Sequence, residues 1–237
     1  MSDKKTVNIL SEIKKHGNKV LAQHHLRFFK TGKGEYGEGD LFWGLTVPQT
    51  RAISKKYYKE LTLKETEIFL KHKVHEVRFF ALTVLIEKYK RADIKEKKKI
   101  VKIYLKNTKY INNWDLVDLT APLITGEYWY NNLSEDLWKL AKSKNLWEER
   151  IAMLSTFYFI KRGKTAETLK LAEFFLNHKH DLMHKASGWM LREAGKRNIG
   201  ALYGFLDKYA AVMPRTMLRY SLEKVPQQKR KYYMEKK

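Results

Sequence analysis

Val77-Arg78-Phe79-Phe80-Ala81, Glu149-Arg150-Ile151-Ala152-Met153 and His184-Lys185-Ala186-Ser187-Gly188 each set a basic residue shortly before a small one inside an apolar run. Ala81, Ala152 and Ala186 lie 71 and 34 residues apart, so a unit of about 35 residues fits if one more, around Asp118, fills the first interval. His72-Lys73 and His178-Lys179 recur 106 residues apart, or about three such units. Apolar residues follow a 3.6-residue period almost throughout, while the 12 glycines and 4 prolines fall mostly between the apolar runs. The pattern predicts helices over 5–17, 19–30, 48–60, 63–72, 75–90, 93–107, 113–124, 134–143, 147–162, 164–177, 181–196, 199–210 and 214–224. The Gly-rich stretch 31–46 is the one long loop, 226–237 reads as a frayed basic tail, and no linker divides residues 1–237.

Two-helix units of this length match helical solenoids of the HEAT class, whose helices stack on their neighbours. The expected fold is therefore all-α: a curved solenoid with a concave basic face, onto which Arg78, Arg150, Lys185 and Arg192 project. Lys plus Arg is 48 against 26 Asp plus Glu, a net charge of +22. That excess exceeds what solubility needs and points to a polyanion, nucleic acid before anionic membrane. Nothing approaches an uninterrupted transmembrane span and no signal-peptide core follows Met1. Without Cys there is no disulfide, thiol nucleophile or cysteine zinc site. The expectation is a soluble cytoplasmic protein, monomeric, associated with the nucleoid through DNA.

Asn112-Asn113-Trp114-Asp115-Leu116-Val117-Asp118 puts an indole and a carboxylate at i and i+4 on one side of a helix. An aromatic face attracts a cation and a carboxylate neutralises it, so the pair suits a cationic ligand or a carbocation-like transition state. A core Trp followed by a capping Asp has the same spacing. His180 and His184 stand four apart on the next candidate helix, but no Glu occupies the hydrolase position between them and Lys179 and Lys185 repel a cation, so no metal site is expected. No GxxxxGK[ST] segment occurs, and although Gly32-Lys33-Gly34-Glu35-Tyr36-Gly37 has the GxGxxG spacing, Gly32-Lys33-Gly34 and Gly37-Glu38-Gly39 read as loop glycines with no strand before them, so nucleotide and dinucleotide chemistry is not expected. Lys95–Lys99 and Lys229–Lys237 are charge runs that read as solvated surface. Trp43, Trp129 and Trp138 read as core.

Trp114-Asp115-x-Val117-Asp118, then Trp147-x-x-Arg150-x-Ala152, then Gly188-Trp189-x-Leu191-Arg192-Glu193, together with Gly44-Leu45-Thr46-Val47-Pro48-x-x-Arg51, resemble the AlkD-type DNA alkylation repair glycosylases over about residues 20–225. The resemblance implies a HEAT-like solenoid that removes cationic purines alkylated at N3 or N7, such as 3-methyladenine and 7-methylguanine, from double-stranded DNA, with no cofactor or metal. It implies Asp118 as the catalytic carboxylate, Trp114 and Trp189 as the rings beside the damaged nucleotide, and Arg150 and Arg192 on the DNA-binding face. Phe28 stands where the family often has a Tyr, so a hydroxyl is missing there. A HEAT-repeat protein that binds distorted or branched DNA without cleaving it is the alternative.

Overall fold

The computed structural model describes residues 2–132 and 135–236 and is all-helical among them, the single departure being an isolated parallel bridge between Leu41 and Val74. Cα packing divides the chain into two compact units, Met1–Leu116 and Val117–Lys237.

The first unit carries α1 (Ser2–Lys15), α2 (Lys19–Phe28), α3 (Val47–Tyr57), α4 (Leu63–Leu70), α5 (His75–Tyr89) and α6 (Ile94–Lys106), and ends inside the short α7 (Trp114–Asp118). Capping fixes the starts. Asn18 accepts the N–H of Leu21, while Thr46/Gln49 and Thr62/Glu65 form reciprocal capping boxes that satisfy the first free N–H groups of α3 and α4. All but one residue of α5 is buried, as expected for a helix apolar on every side, with α3, α4 and α6 packed on it.

In the second unit α8 (Thr125–Asn131), α9 (Asp136–Ala141) and α11 (Ala166–Phe174) pack on α10 (Leu146–Lys161); α11, α13 (Ile199–Tyr209) and α14 (Arg215–Ser221) pack on α12 (Asp181–Arg197), and α15 (Gln227–Glu235) follows. A similar spacing, 71 residues from Ser54 to Thr125 and 72 from Thr83 to Ser155, reappears in packing. In the first unit Ser54 and Thr83 share a buried hydroxyl contact of 2.5 Å, and in the second Thr125 and Ser155 share one of 2.7 Å. Each of these hydroxyls also lies within hydrogen-bond reach of the carbonyl four residues back, so in each pair one hydroxyl donates to its partner and the other to a carbonyl.

Two expectations need correcting. The helix expected over 113–124 stops at Asp118, continues as a 3-10 turn (Ala121–Leu123), and gives way to α8. Pro122 lacks an N–H and biases Ala121 away from helical geometry, which breaks the run. Residues 227–235 are helical, with Tyr233 buried and its hydroxyl donating to Asp207 at 3.0 Å, where a frayed tail was expected. Ser134 and Lys237, the first residue of one expected helix and the last of that tail, lie outside the described residues.

Candidate functional site

The motif residues fall in both units, and each group is built by its own unit.

In the first unit, Trp114 opens α7 half-buried against two phenylalanines of the α2 end. Phe28 meets it edge-on at 5.6 Å and Phe29 lies tilted at 5.3 Å. Phe29 in turn stacks on Phe42 at 5.1 Å, and the imidazole of His75 packs on both. Phe28 is 52% exposed, so this ring cluster has one open aromatic edge. Below the rings sits a buried knot of charge. His75 lies between two carboxylates, Nδ1 3.1 Å from Asp40 and Nε2 2.8 Å from Asp115. Burial opposes its charge, but the ion pair and hydrogen bond with Asp115, together with the hydrogen bond to Asp40, raise its pKa to about 9. Asp40 is held below its ordinary range: burial pushes it up, and His75 and the Arg78 guanidinium outweigh that.

Arg78 does not line an open face. Its guanidinium is buried, donating to Asp40 at 2.7 Å, to Asn112 Oδ1 at 3.1 Å and to the carbonyls of His72 and Lys73 at 3.2 Å. It thereby ties the loop that carries Asp40 to the residues that precede α7. The loop is anchored a second time by Glu76, whose carboxylate accepts the N–H groups of Trp43, Gly44 and Leu45. Gly44 has φ +81°, and a Cβ there would meet the Asn18 carbonyl oxygen at 2.0 Å, so only glycine fits. Asp40, His75, Asn113 and Asp115 were not singled out from sequence. The available signal was three titratable residues, His75, Glu76 and Arg78, embedded in the otherwise apolar start of a fully buried helix.

In the second unit, Arg150 projects from the first turns of α10 and grips Asp118 with a two-pronged fork: Nε to Oδ1 and Nη2 to Oδ2, each 2.8 Å. Its third nitrogen donates to the carbonyl of Leu182. The Arg150 side chain is 5% exposed and that of Asp118 11%, so both are largely enclosed. As with Arg78, the sequence reading placed Arg150 on a DNA-facing surface and the structure turns it inward. A planar guanidinium matches both carboxylate oxygens at once, fixing the rotamer of Asp118. Asn145 caps α10 by accepting the N–H groups of Trp147 and Glu148, which sets where Arg150 emerges. Beside it, Glu149 is buried and paired with His178 at 2.9 Å.

Trp189 is half-buried on α12, tilted against Phe157 of α10 at 5.7 Å, with the Lys161 ammonium 4.4 Å over that phenyl ring. Gly188 allows this placement, since a Cβ there would meet the Met217 carbonyl oxygen of α14 at 2.4 Å. Arg192 is ion-paired to Glu193 and Glu223, and Lys185 to Asp181 at 2.8 Å. The positive charges expected on a DNA track are here partly neutralised.

The histidines serve as local struts. His178 Nδ1 accepts the N–H of His180, and His184 Nε2 contacts the His178 carbonyl; in the other unit His72 Nδ1 likewise accepts the N–H of Val74. Trp129 is core as expected, whereas Trp43 and Trp138 are half-buried.

The candidate groups are thus a half-buried indole in the first unit and, in the second, an arginine-held carboxylate and a half-buried indole. The family model for DNA alkylation repair enzymes matches residues 9–225, and the chain belongs to that family. Among solved structures it is similar to a predicted DNA alkylation repair enzyme from Enterococcus faecalis, with TM-score 0.71 and 18% identity, covering 90% of this chain and 98% of that one. No match is found among curated proteins. The protein is thus all-helical, of the DNA alkylation repair fold, with a role in repair of alkylated DNA. No described helix is long and apolar enough to cross a membrane.

Proposed function

We propose that the protein is a monofunctional DNA glycosylase that hydrolyses the N-glycosidic bond of purines carrying a positive charge from alkylation at N3 or N7, in double-stranded DNA. The observation that carries this reading is the Arg150 fork on Asp118. It supplies one carboxylate oriented through both of its oxygens.

Alkylation at N3 or N7 makes the base cationic, so it departs neutral and needs no proton from a general acid. The barrier that remains is the charge developing on the sugar at C1′. A fixed carboxylate lowers that barrier because it is already oriented when the oxocarbenium-like state forms, and it can also orient the attacking water. Asp118 takes both roles, and Arg150 is a positioning residue that acts through it. Following the resemblance, Trp114 and Trp189 each offer a π face to a cationic nucleotide, worth on the order of 0.5–2 kcal/mol apiece. Attack by water leaves an abasic site. A lysine nucleophile would instead leave a Schiff base with the deoxyribose and open the way to strand cleavage. The motifs tie no lysine to the carboxylate, so the strand stays intact. The proposed working form is a single chain without metal or cofactor.

The test is release of 3-methyladenine and 7-methylguanine from methylated duplex, with strand nicking scored in parallel, for the natural chain and Asp118→Asn. The natural chain releases bases without nicking, and the variant binds DNA but releases about a hundredfold to a thousandfold more slowly, as when one preorganised electrostatic contact is removed. Equal release by both would sink the assignment. No release by either would leave the non-catalytic DNA-binding reading.

A further inference from the structure

Helix α6 carries a feature that the candidate site does not use. Its inner side is buried through Ile100, Val101 and Tyr104, against α5. At about 100° per residue, Lys95, Lys98, Lys99, Lys102 and Lys106 all fall within roughly 100° of the helix circumference, on the side opposite that buried stripe. All five are exposed. Lys106 reaches Glu67 at 3.6 Å. Lys95, Lys98, Lys99 and Lys102 have no carboxylate, hydrogen-bond or ring partner among the described residues. Glu96 is the one acid of the helix and it lies half-buried off this face.

This arrangement works against the helix. Lys95/Lys99, Lys98/Lys102 and Lys102/Lys106 are like-charge pairs at i,i+4, and Lys95 and Lys98 crowd the end where the backbone dipole is already positive. Five ammonium groups over a rise of about 16 Å form a straight cationic rail that an evenly spaced row of negative charges would relieve. Duplex DNA offers one phosphate charge per about 1.7 Å of axis. Flexible lysines suit contact with such a row without reading its sequence, because each is a point charge on a mobile stem.

We propose that the outer face of α6 is a second docking surface for duplex DNA, separate from the Trp114 and Asp118 groups and binding by phosphate neutralisation alone. The test replaces Lys95, Lys98, Lys99 and Lys102 together by Gln in the full chain and follows binding of unmodified duplex as salt is varied. Exposed substitutions of this kind leave helicity intact, which circular dichroism checks. A control chain with Lys139, Lys142, Lys170 and Lys208 replaced by Gln loses the same net charge from elsewhere. The expected result is a logarithmic salt slope shallower by about 3 to 4 in the α6 variant, at about 0.9 per phosphate contact, and a much smaller change in the control. A slope within 1 of the natural chain overturns the proposal, as does an equal drop in the control. Loss of binding to phosphatidylserine vesicles with the DNA slope unchanged also overturns it and marks the rail as a lipid contact. Base release by Asp118→Asn, measured on the same preparations, reports separately on the glycosylase reading.

Discussion

Asp115 and Asp118 stand three residues apart on one short helix, yet the two units put them to opposite uses. In the first unit Asp115 is spent inward, pinned to a buried imidazole that is itself shared with Asp40. In the second, Asp118 is held through both oxygens by the Arg150 guanidinium fork. The two side chains are almost equally exposed, 10% and 11%, so the partner and not the exposure separates them. An imidazole takes one oxygen of Asp115, whereas a planar guanidinium matches both oxygens of Asp118 and fixes its plane. Asp118 is the more rigidly oriented of the two, and the proposed mechanism uses that orientation.

The most severe way to break this comparison is Arg150→Ala. It strips the guanidinium from a mostly buried carboxylate, for an expected loss of about 3–5 kcal/mol of stability, read by denaturant unfolding. Arg150→Lys keeps the charge but not the fork. It should stay folded, bind DNA and release bases more slowly, lowering the catalytic rate more than the apparent affinity.

A gentler probe acts on the first unit through pH. His75 binds its proton more tightly folded than unfolded, so its stabilising contribution is complete below the ordinary histidine value of 6.5 and disappears as pH rises through about 9. Asp40 behaves oppositely, with a contribution present above 3.8 that is lost on acidification. Melting temperature should therefore fall between pH 6.5 and 9 in the natural chain, and that fall should flatten in a His75→Gln variant that remains folded. An unchanged slope in the variant would remove His75 as the titrating group.

The smallest expected effects belong to the rings. Trp189→Phe keeps an aromatic face on α12 but removes the larger indole, and should slow base release by no more than about tenfold, in line with 0.5–2 kcal/mol per cation–π contact. Single-turnover release at saturating enzyme isolates that effect from binding.

Much of this organisation was legible in the sequence. Helix positions follow from apolar periodicity, and the starts expected at 48, 63, 93 and 147 lie within one residue of the observed Val47, Leu63, Ile94 and Leu146. The motif containing Trp114 and Asp118 was recognisable because its chemistry is local. What escaped was the long-range partnering. Asp40 meets His75 across 35 residues and Arg150 meets Asp118 across 32. Periodicity cannot say whether an arginine inside an apolar helix points to solvent or to a buried carboxylate, which is why Arg78 and Arg150 read as surface cations. The break after Asp118 was signalled by Pro122 but outweighed by the apolar residues around it.

Asp115→Asn and Asp118→Asn, compared side by side for thermal unfolding and single-turnover release of 7-methylguanine, address the division of labour most directly. The account predicts that Asp115→Asn melts earlier yet releases base at a near-natural rate per folded molecule, while Asp118→Asn stays folded and DNA-bound but loses release about a hundredfold or more. Near-natural release by Asp118→Asn, or abolished release by a fully folded Asp115→Asn, would contradict it.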